Sequence, residues 1–254
     1  MPPVKEAKAG GQSALPAGAN EGGLILLIDA DDTLLDFKRA ERACITATLK
    51  NFRARGVQKA ARLFSAVNKA CWLAVERGER TREEIAVLRF EELLGRLPLQ
   101  ATAEQLNEFY KACMRRAYFL LPGAKRFLHA LKARRHRLFL ITNGLQTTQR
   151  LRVKGSGIEE FFEDVFISES MGTRKPERAY FEAVERLIPD FRPELCYVIG
   201  DSLTADIKGA ENAGLPSIWF DPEHKPAKPD ITPTYTAHSY ADIVRILDAI
   251  CPSR

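Results

Sequence analysis

The sequence predicts an α/β protein built on a doubly wound parallel sheet, with an all-helical segment inserted into it. Five short runs are almost continuously apolar, which is typical of strands covered on both faces. Helical segments separate the last four runs, and such alternation is typical of a parallel sheet between two helix layers. The five predicted strands are residues 24–29, 137–142, 164–168, 195–201 and 216–221.

Turn residues support the predicted helices between these strands. Pro122 and Gly123 precede one helix, because proline suits the start of a helix. Gly214 follows a helix over residues 203–213, in the position where glycine often ends a helix. Ser239 begins a capping box before the last helix. The chain after residue 122 is therefore predicted to alternate regularly between strand and helix.

The segment 37–121 interrupts this alternation, because it is helical throughout and contains no strand-like run. Thr81 and Thr102 each begin a capping box, which marks two of its four predicted helices. We predict a helical cap over 37–121, a catalytic core formed by 23–36 and 122–254, and a disordered leader over 1–22. The insertion either adds stability only or acts as a lid, and its place beside the first acidic cluster favours the lid.

Composition excludes several classes of protein. The chain has 254 residues, of which 45% are hydrophobic and 28% charged, as in ordinary globular proteins. Its five cysteines are scattered and lack metal-site spacing, which predicts reduced thiols and a cytoplasmic location. No apolar run approaches the roughly 18–20 residues that span a bilayer. The net charge of +5 is spread along the chain, so we expect no nucleic-acid partner. We also expect the protein to be a monomer or a homodimer.

Acidic residues follow two of the predicted strands. Asp29 and Asp31 come at the end of the first strand, and Asp201 comes at the end of the fourth, followed by Asp206. Ligands of open α/β sheets bind at the carboxyl ends of the strands, so these carboxylates are expected to converge. Buried carboxylates favour a hard divalent cation. We predict an Mg²⁺ site formed by Asp29, Asp201 and a main-chain oxygen near Asp31, with Asp206 orienting the metal's waters or a lysine.

A second group of residues at the same edge is suited to a phosphate group. Thr142, Asn143 and Gly144 follow the second strand, and Lys175 lies in the loop after the third. Hydroxyl and backbone N–H groups bind phosphate oxygens, and an ammonium group neutralises their charge. We therefore predict that Thr142, Asn143, Gly144 and Lys175 bind phosphate.

The two acids of the first cluster are predicted to have different chemical roles. Asp29, held at the strand end, is the candidate nucleophile that forms an aspartyl-phosphate. Asp31 is the candidate acid and base, which protonates the leaving oxygen and then activates water. Each motif alone also occurs as an ordinary turn or helix cap. The functional interpretation depends on finding all of them in order, each at a strand end.

These motifs resemble those of the haloacid dehalogenase-like (HAD) superfamily. The segment 29–33 is similar to its first motif, Thr142 to its second, Lys175 to its third and the segment 200–206 to its fourth. The resemblance covers nearly everything from residue 24 onward and implies a Rossmann-like core with a helical cap. It also implies a phosphotransfer enzyme, because dehalogenases generally lack the acid at the position of Asp31.

A finer resemblance is to bacterial pyrimidine 5′-nucleotidases that clear noncanonical nucleotides. It implies a nucleoside 5′-monophosphate as substrate, with Phe37, Asn68, Trp72 and Arg89 of the cap near the nucleoside. Three of them have an alternative: Phe37 staples a helix, Trp72 packs in a core and Arg89 is a surface group. The resemblance rests on these segments: 67–69 with Trp72, 78–84, 89–90, 142–144, 166–169, 200–209 and 219–222.

Other functions remain open at this stage. A phosphatase for a sugar phosphate, phosphoglycolate or another small metabolite would use the same core residues. A phosphomutase would need an aspartyl-phosphate that survives water, and nothing in the loops indicates this. A non-catalytic binding module is disfavoured, because Asp29, Asp31, Lys175 and Asp201 are all present.

Overall fold

The computed structural model describes residues 23–97 and 99–252, so the predicted leader at 1–22 lies outside the described residues. All six strands of the sheet run parallel, in the order β3-β2-β1-β4-β5-β6. The predicted α/β fold with a doubly wound parallel sheet is confirmed. The strands are β1 (Ile25–Asp29), β2 (Arg137–Thr142), β3 (Asp164–Ile167), β4 (Cys196–Gly200), β5 (Ser217–Phe220) and β6 (Tyr235–Ala237).

Two layers of helices cover the faces of this sheet, and four helices precede them in the insertion. The insertion contains α1 (Phe37–Asn51), α2 (Val57–Glu76), α3 (Arg82–Leu94) and α4 (Ala103–Met114). The later helices are α5 (Ala124–Ala133), α6 (Gln146–Gly155), α7 (Ser168–Met171), α8 (Arg178–Leu187), α9 (Lys208–Ala213) and α10 (Tyr240–Ile250). A π-helical turn, Leu203–Ile207, leads into α9.

Strand β1 shows why the sheet needs helices on both faces. Leu26 and Ile28 pack into one apolar cluster with residues of α5 and α10. Ile25 and Leu27 pack into a second cluster with residues of α8. Successive side chains of a strand point to opposite faces, so a strand without polar positions must be covered twice. The unbroken apolar pattern of the sequence therefore places β1 in the middle of the fold.

The insertion has an apolar core of its own, formed by residues of α1 to α4 around Phe64, Phe90 and Tyr110. The capping boxes predicted at Thr81 and Thr102 are both present. The helices of this segment thus begin where the sequence indicates. The division into a cap over 37–121 and a core over 23–36 and 122–254 stays a prediction.

The segments that enter and leave the insertion lie side by side. The Asp36 N–H donates to the Phe119 carbonyl oxygen at 2.9 Å, and the Leu121 N–H donates to the Leu34 carbonyl oxygen at 2.9 Å. Leu35 pairs with its neighbour on the returning segment in an antiparallel bridge. The two connections therefore form one short hydrogen-bonded ribbon.

The strands begin or end one residue away from several predicted bounds, and two differences have a structural reason. β3 ends at Ile167, because Ser168 already begins the short helix α7. The strand β6 was not predicted, because it has only three residues and two of them are exposed, so it carries no apolar run. All five cysteines are free thiols. Within residues 23–97 and 99–252, the structure contains no helix with the length and hydropathy needed to cross a bilayer.

Candidate active site

The carboxyl edge of the sheet brings the predicted acidic residues together. β1 lies between β2 and β4, and all three strands are parallel. Asp29 is the last residue of β1, Thr142 is the last residue of β2, and Asp201 directly follows β4. Three residues that lie far apart in the sequence therefore end on adjacent strands at one edge, as the sequence analysis expected.

Lys175 lies at the centre of this edge and is 2% exposed. Its Nζ donates to Asp29 Oδ1 at 2.6 Å and to Asp206 Oδ1 at 2.7 Å. Burial alone would lower the pKa of this ammonium group, but the Asp206 and Asp29 carboxylates raise it above its usual range. Lys175 thus pairs with the candidate nucleophile, and the lysine stays charged.

Asn143 holds the backbone of this lysine in place. Its Oδ1 accepts a hydrogen bond from the Lys175 N–H at 3.0 Å, and its Nδ2 donates to the Lys175 carbonyl oxygen at 2.8 Å. The Asn143 side chain therefore ties the loop after β3 to the end of β2. The predicted phosphate contacts of Asn143 and Gly144, through backbone N–H groups, stay a prediction.

Three carboxylates form a compact group beside Lys175. One oxygen each of Asp29, Asp201 and Asp206 lies within 4.8 Å of the others. Burial raises the pKa of the Asp29 carboxyl well above its usual range. The Lys175 ammonium group opposes this rise, and the Asp206 and Asp201 carboxylates add to it. Burial likewise raises the pKa of Asp201 to about 6. Closely spaced carboxylates repel one another when all are ionised, so they are well suited to binding a hard divalent cation.

Asp206 belongs to this group more closely than the sequence indicated, although its bond to Lys175 matches one of the two predicted roles. Its other carboxylate oxygen accepts the Ser202 N–H at 3.0 Å. A Cβ at Gly200 would lie 2.3 Å from the Asp206 carboxylate, so this position requires glycine. In the Gly-Asp-Ser sequence, Gly200 thus leaves space for the Asp206 carboxylate, and Asp201 supplies a carboxylate of its own.

Asp201 is held by groups from three parts of the chain. The Thr33 hydroxyl oxygen accepts the Asp201 N–H at 3.0 Å, which links the first acidic motif to the fourth. Trp219 Nε1 donates to the Asp201 carbonyl oxygen at 3.0 Å. Lys225 Nζ lies 3.0 Å from Asp201 Oδ2. The sequence analysis missed Lys225, because it follows β5 outside any recognisable motif.

The Asp31 side chain is held apart from the carboxylate group by two residues of α6. Its Oδ1 accepts from Arg152 Nη1 at 2.5 Å, and its Oδ2 accepts from Gln149 Nε2 at 2.8 Å. These two donors use both oxygens, so the side chain does not join Asp29 and Asp201. A main-chain contribution near Asp31 stays a prediction. The Asp31 carboxylate is thereby held apart from the Asp29 nucleophile, as its predicted role in proton transfer requires.

Sequence analysis missed both residues that hold Asp31. Gln149 and Arg152 lie on α6, three residues apart and hence on one face of the helix. Gln149 Nε2 also donates to Thr142 Oγ1 at 2.8 Å, and Arg152 is 1% exposed. The available signal was that α6 directly follows the Thr-Asn-Gly motif and points its first turns at the sheet edge.

A pocket lies between this edge and the helices of the insertion. Three of the four predicted substrate residues line it, namely Phe37, Trp72 and Arg89. Trp72 also packs beside the small apolar cluster that contains Ile85. It therefore lines the pocket and packs against a core at the same time. The pocket is further lined by Asp31, Arg82, Ile85, Ala86, Tyr110, Lys111, Met114, Gly144, Leu145, Thr148, Gln149 and Arg152.

The structure does not bring Asn68 into this pocket, which corrects its predicted contact with the base. The side chain is 1% exposed, its Nδ2 donates to Glu41 Oε2 at 2.5 Å, and its Oδ1 accepts from Arg89 Nη1 at 2.9 Å. The surface interpretation of Arg89 is also wrong, because this residue is 6% exposed. Its guanidinium lies among the rings of Phe64, Phe90 and Tyr110, which attract cations.

Two side-chain hydrogen bonds join the insertion directly to the catalytic edge. Arg82 Nη2 donates to Ser168 Oγ at 2.8 Å, and Thr204 Oγ1 donates to Glu76 Oε2 at 2.6 Å. Neither pair was expected from the sequence. They connect α3 and the end of α2 to residues that follow β3 and β4.

Comparison with known proteins identifies the family. The sequence profile of the haloacid dehalogenase-like hydrolases matches residues 25–214. The chain belongs to the haloacid dehalogenase-like hydrolases. It is 36% identical to the HAD-hydrolase YfnB of Bacillus subtilis over 88% of this chain and 94% of YfnB. It is 35% identical to the pyrimidine 5′-nucleotidase PynA of Streptococcus pneumoniae, over the same shares of the two chains.

Solved structures of this family share the fold. The crystal structure of YfnB, described as bound to magnesium and as revealing interdomain movement, matches with a TM-score of 0.85. It is 35% identical and covers 90% of this chain and 100% of its own. The L-2-haloacid dehalogenase of Xanthobacter autotrophicus matches with a TM-score of 0.70 at 16% identity, over 90% of this chain and 100% of its own. The dehalogenase likeness concerns the fold alone.

Proposed function

We propose that this HAD-like hydrolase is an Mg²⁺-dependent phosphatase that hydrolyses a pyrimidine nucleoside 5′-monophosphate through an aspartyl-phosphate. One observation carries the proposal. Asp29 contacts Lys175 and is grouped with two further carboxylates, while Asp31, two residues later, is held separately by Gln149 and Arg152. Hydrolysis of a phosphate monoester requires two carboxylates with separate roles. One is a nucleophile beside a positive charge, and the other transfers the proton.

The first half of the reaction transfers the phosphoryl group to the protein. An Asp29 carboxylate oxygen attacks phosphorus in line, and the bond from phosphorus to the ester oxygen breaks. Asp31 gives its proton to the departing ester oxygen, which leaves as the alcohol. Lys175 and the donors at Thr142, Asn143 and Gly144 hold the phosphate oxygens during the transfer.

The second half of the reaction returns the enzyme to its starting state. Asp31, now a carboxylate, removes a proton from a water molecule that attacks the phosphorus. The bond from phosphorus to the Asp29 oxygen breaks, and inorganic phosphate leaves. Asp29 is then a free carboxylate again, and Asp31 again carries its proton.

The carboxylate group fits the metal ion that this proposal requires. Asp29, Asp201 and a main-chain oxygen near Asp31 would hold Mg²⁺, with Asp206 beside them. When bound, the ion neutralises charge on the phosphate and on the crowded carboxylates. The buried, mutually repelling oxygens support this assignment, as does the magnesium described for the similar protein YfnB.

The pocket beside Asp31 supports a nucleoside as the leaving group. Phe37 and Trp72 present aromatic surface there, and aromatic rings stack on bases. The similar protein PynA is named for its action on pyrimidine nucleotides. The interdomain movement described for YfnB supports a cap that opens to admit a substrate of this size.

Phosphate release from a panel of monoesters tests the proposed function. The panel contains nucleoside 5′-monophosphates, sugar phosphates and phosphoglycolate, each with Mg²⁺ and with a chelator. We expect pyrimidine nucleotides to be the best substrates and the chelator to abolish release. Preference for a sugar phosphate would refute the nucleotidase while leaving the phosphatase standing.

The variant Asp29→Asn tests the covalent mechanism. We expect turnover to fall by a factor on the order of 10⁴ or more, because an amide cannot act as the nucleophile. The fold should be kept, since the amide has nearly the same shape. Asp230→Asn, at an exposed position, is the matched control and should keep full activity. Near-normal activity of Asp29→Asn would exclude the aspartyl-phosphate.

A further inference from the structure

Three residues that line the pocket share an unusual property. Arg89 Nε, Tyr110 Oη and Arg152 Nη2 are buried, and none has a hydrogen-bond partner within the part of the chain that the structure describes. The three side chains are 6%, 3% and 1% exposed, and all three line the pocket that also contains Asp31. A buried polar group without a partner costs about 1–3 kcal/mol, so three around one pocket require an explanation.

Arg89 is a buried cation whose direct partners are neutral. Its Nη1 donates to Asn68 Oδ1 at 2.9 Å, and its Nη2 donates to Asn107 Oδ1 at 3.0 Å. Glu41 contacts the guanidinium only through Asn68, whose Nδ2 donates to the Glu41 carboxylate. Two amides fix the orientation of the guanidinium without neutralising it. Its Nε–H, which has no partner within the described residues, is therefore a fixed donor with residual positive charge.

Tyr110 and Arg152 supply two more donors. Burial raises the pKa of the Tyr110 phenol above its ordinary value, so the hydroxyl keeps its proton. Arg152 uses Nη1 for Asp31 and donates from Nε to the Ala117 carbonyl oxygen at 3.2 Å. Its Nη2 is buried and has no partner within the described residues. Because Arg152 touches the acid and base residue, this donor lies close to the leaving group.

We infer that Arg89, Tyr110 and Arg152 form a donor group that binds oxygen acceptors on the leaving group of the substrate. This inference rests on the proposed function and specifies what the pocket recognises. A pyrimidine nucleoside offers such acceptors as base carbonyl oxygens and as ribose oxygens. The apolar walls, including Phe37 and Met114, suit the faces of a ring. Hydrogen bonds in such a pocket are strengthened by the low local dielectric.

The variant Tyr110→Phe tests this inference, because it removes only the hydroxyl. Kinetics are measured with UMP, ribose 5-phosphate and phenyl phosphate, whose leaving group lacks oxygen acceptors beyond the ester oxygen. We expect KM for UMP to rise about three- to tenfold with kcat nearly unchanged, the loss typical of one hydrogen bond. KM for phenyl phosphate should not change. A rise for ribose 5-phosphate as well would assign the acceptor to the ribose, and a rise for UMP alone would assign it to the base.

Thermal unfolding separates this role from a structural one. The removed hydroxyl has no partner in the described residues, so Tyr110→Phe should melt at the same temperature as the parent or higher. A lower melting temperature with equal changes for all three substrates would overturn the inference. Tyr235→Phe, on the half-exposed strand β6, is the control and should change neither measurement.

Uridine binding provides a readout that needs no turnover. Calorimetry of the whole protein with uridine should give a several-fold weaker Kd in Tyr110→Phe, while binding of inorganic phosphate stays unchanged. Equal uridine affinity in the two proteins would overturn the donor group even if nucleotides are hydrolysed. Absence of nucleotide hydrolysis together with the expected loss of uridine affinity would refute the proposed function and leave the donor group standing.

Discussion

The catalytic edge and the interior of the insertion each bury a cation, but they stabilise it differently. Lys175 lies between the carboxylates of Asp29 and Asp206, whereas Arg89 lies between the amides of two asparagines. At the edge, the positive charge is neutralised within the fold itself. In the insertion, the charge is oriented but left available. The comparison shows that the edge neutralises its buried cation with carboxylates, whereas the insertion orients its cation with neutral amides.

The largest expected effect concerns the acid and base residue of the catalytic edge. Asp31→Asn should lower turnover of UMP by about 10²–10⁴-fold, the usual contribution of general acid–base catalysis. The loss should be much smaller for p-nitrophenyl phosphate in the first step, because its leaving group needs no proton. Single-turnover kinetics with both substrates measure the difference. Equal losses for both would show that Asp31 does not protonate the leaving oxygen.

The next effect tests the paired cation. Lys175→Met should lower the free energy of unfolding by about 3–5 kcal/mol, because it leaves two buried carboxylates without their partner. Urea unfolding measures this loss. Lys208→Met is the control, since Lys208 pairs with Glu211 on the surface and should contribute only about 0–1 kcal/mol. A loss at Lys175 no larger than at Lys208 would contradict the stabilising role of the pairing.

A third buried ionisable group lies at the opposite edge of the sheet and forms no ion pair with the residues that the structure describes. His136 is 2% exposed, and its Nδ1 accepts the Leu24 N–H at 3.0 Å. Burial lowers its pKa from 6.5 to about 4, so the unfolded chain binds the proton more readily. Stability from this group is complete above pH 6.5 and is lost as pH falls through about 4.

This loss should amount to about 3 kcal/mol, from the size of the pKa shift. Unfolding free energies of the parent and of His136→Asn, measured between pH 7 and pH 4, isolate it from the other titrating groups. The asparagine keeps an acceptor for the Leu24 N–H and cannot be protonated in this range, so its profile should be flatter. Parallel profiles would show that His136 does not titrate differently in the folded state.

The smallest expected effect tests the unpaired cation. Arg89→Met should cost about 1–3 kcal/mol, because it leaves the oxygens of Asn68 and Asn107 without a donor but leaves no carboxylate alone. The loss should be smaller than that of Lys175→Met in the same urea experiment. A loss as large as that at Lys175 would show that the insertion also depends on its buried charge for folding, and would remove the contrast between the two regions.

Most of the catalytic edge was predictable because it depends on strand ends. The side chains of Asp29, Thr142 and Asp201 are fixed by the last residue of a strand, and parallel strands end at one edge. A local apolar run is enough to find such a residue. Lys175 was predicted at this edge because a phosphate group needs a cation, and the structure pairs its ammonium group with Asp29.

Gln149 and Arg152, which were missed, lie on a helix. A charged residue on a helix is normally solvated, and only contacts from distant parts of the chain decide otherwise. Arg152 is buried by Asp31 and by the Ala117 carbonyl. The burial of Arg89 by Asn107 and three aromatic rings was not predicted for the same reason. The sequence shows which residues share a helix face, but it does not show which face another element covers. The short edge strand β6 was missed for a similar reason, since only its pairing with β5 defines it.

The paired entry and exit of the insertion have an evolutionary consequence. Leu35 and Leu120 are bridge partners, and bridged residues of antiparallel segments lie about 5 Å apart. A tight turn of a few residues spans that gap, so the helices between them are removable without disturbing the order of the strands. The insertion and the sheet that carries the catalytic edge are thus encoded in separable stretches of the gene. A lineage can exchange one while inheriting the other unchanged.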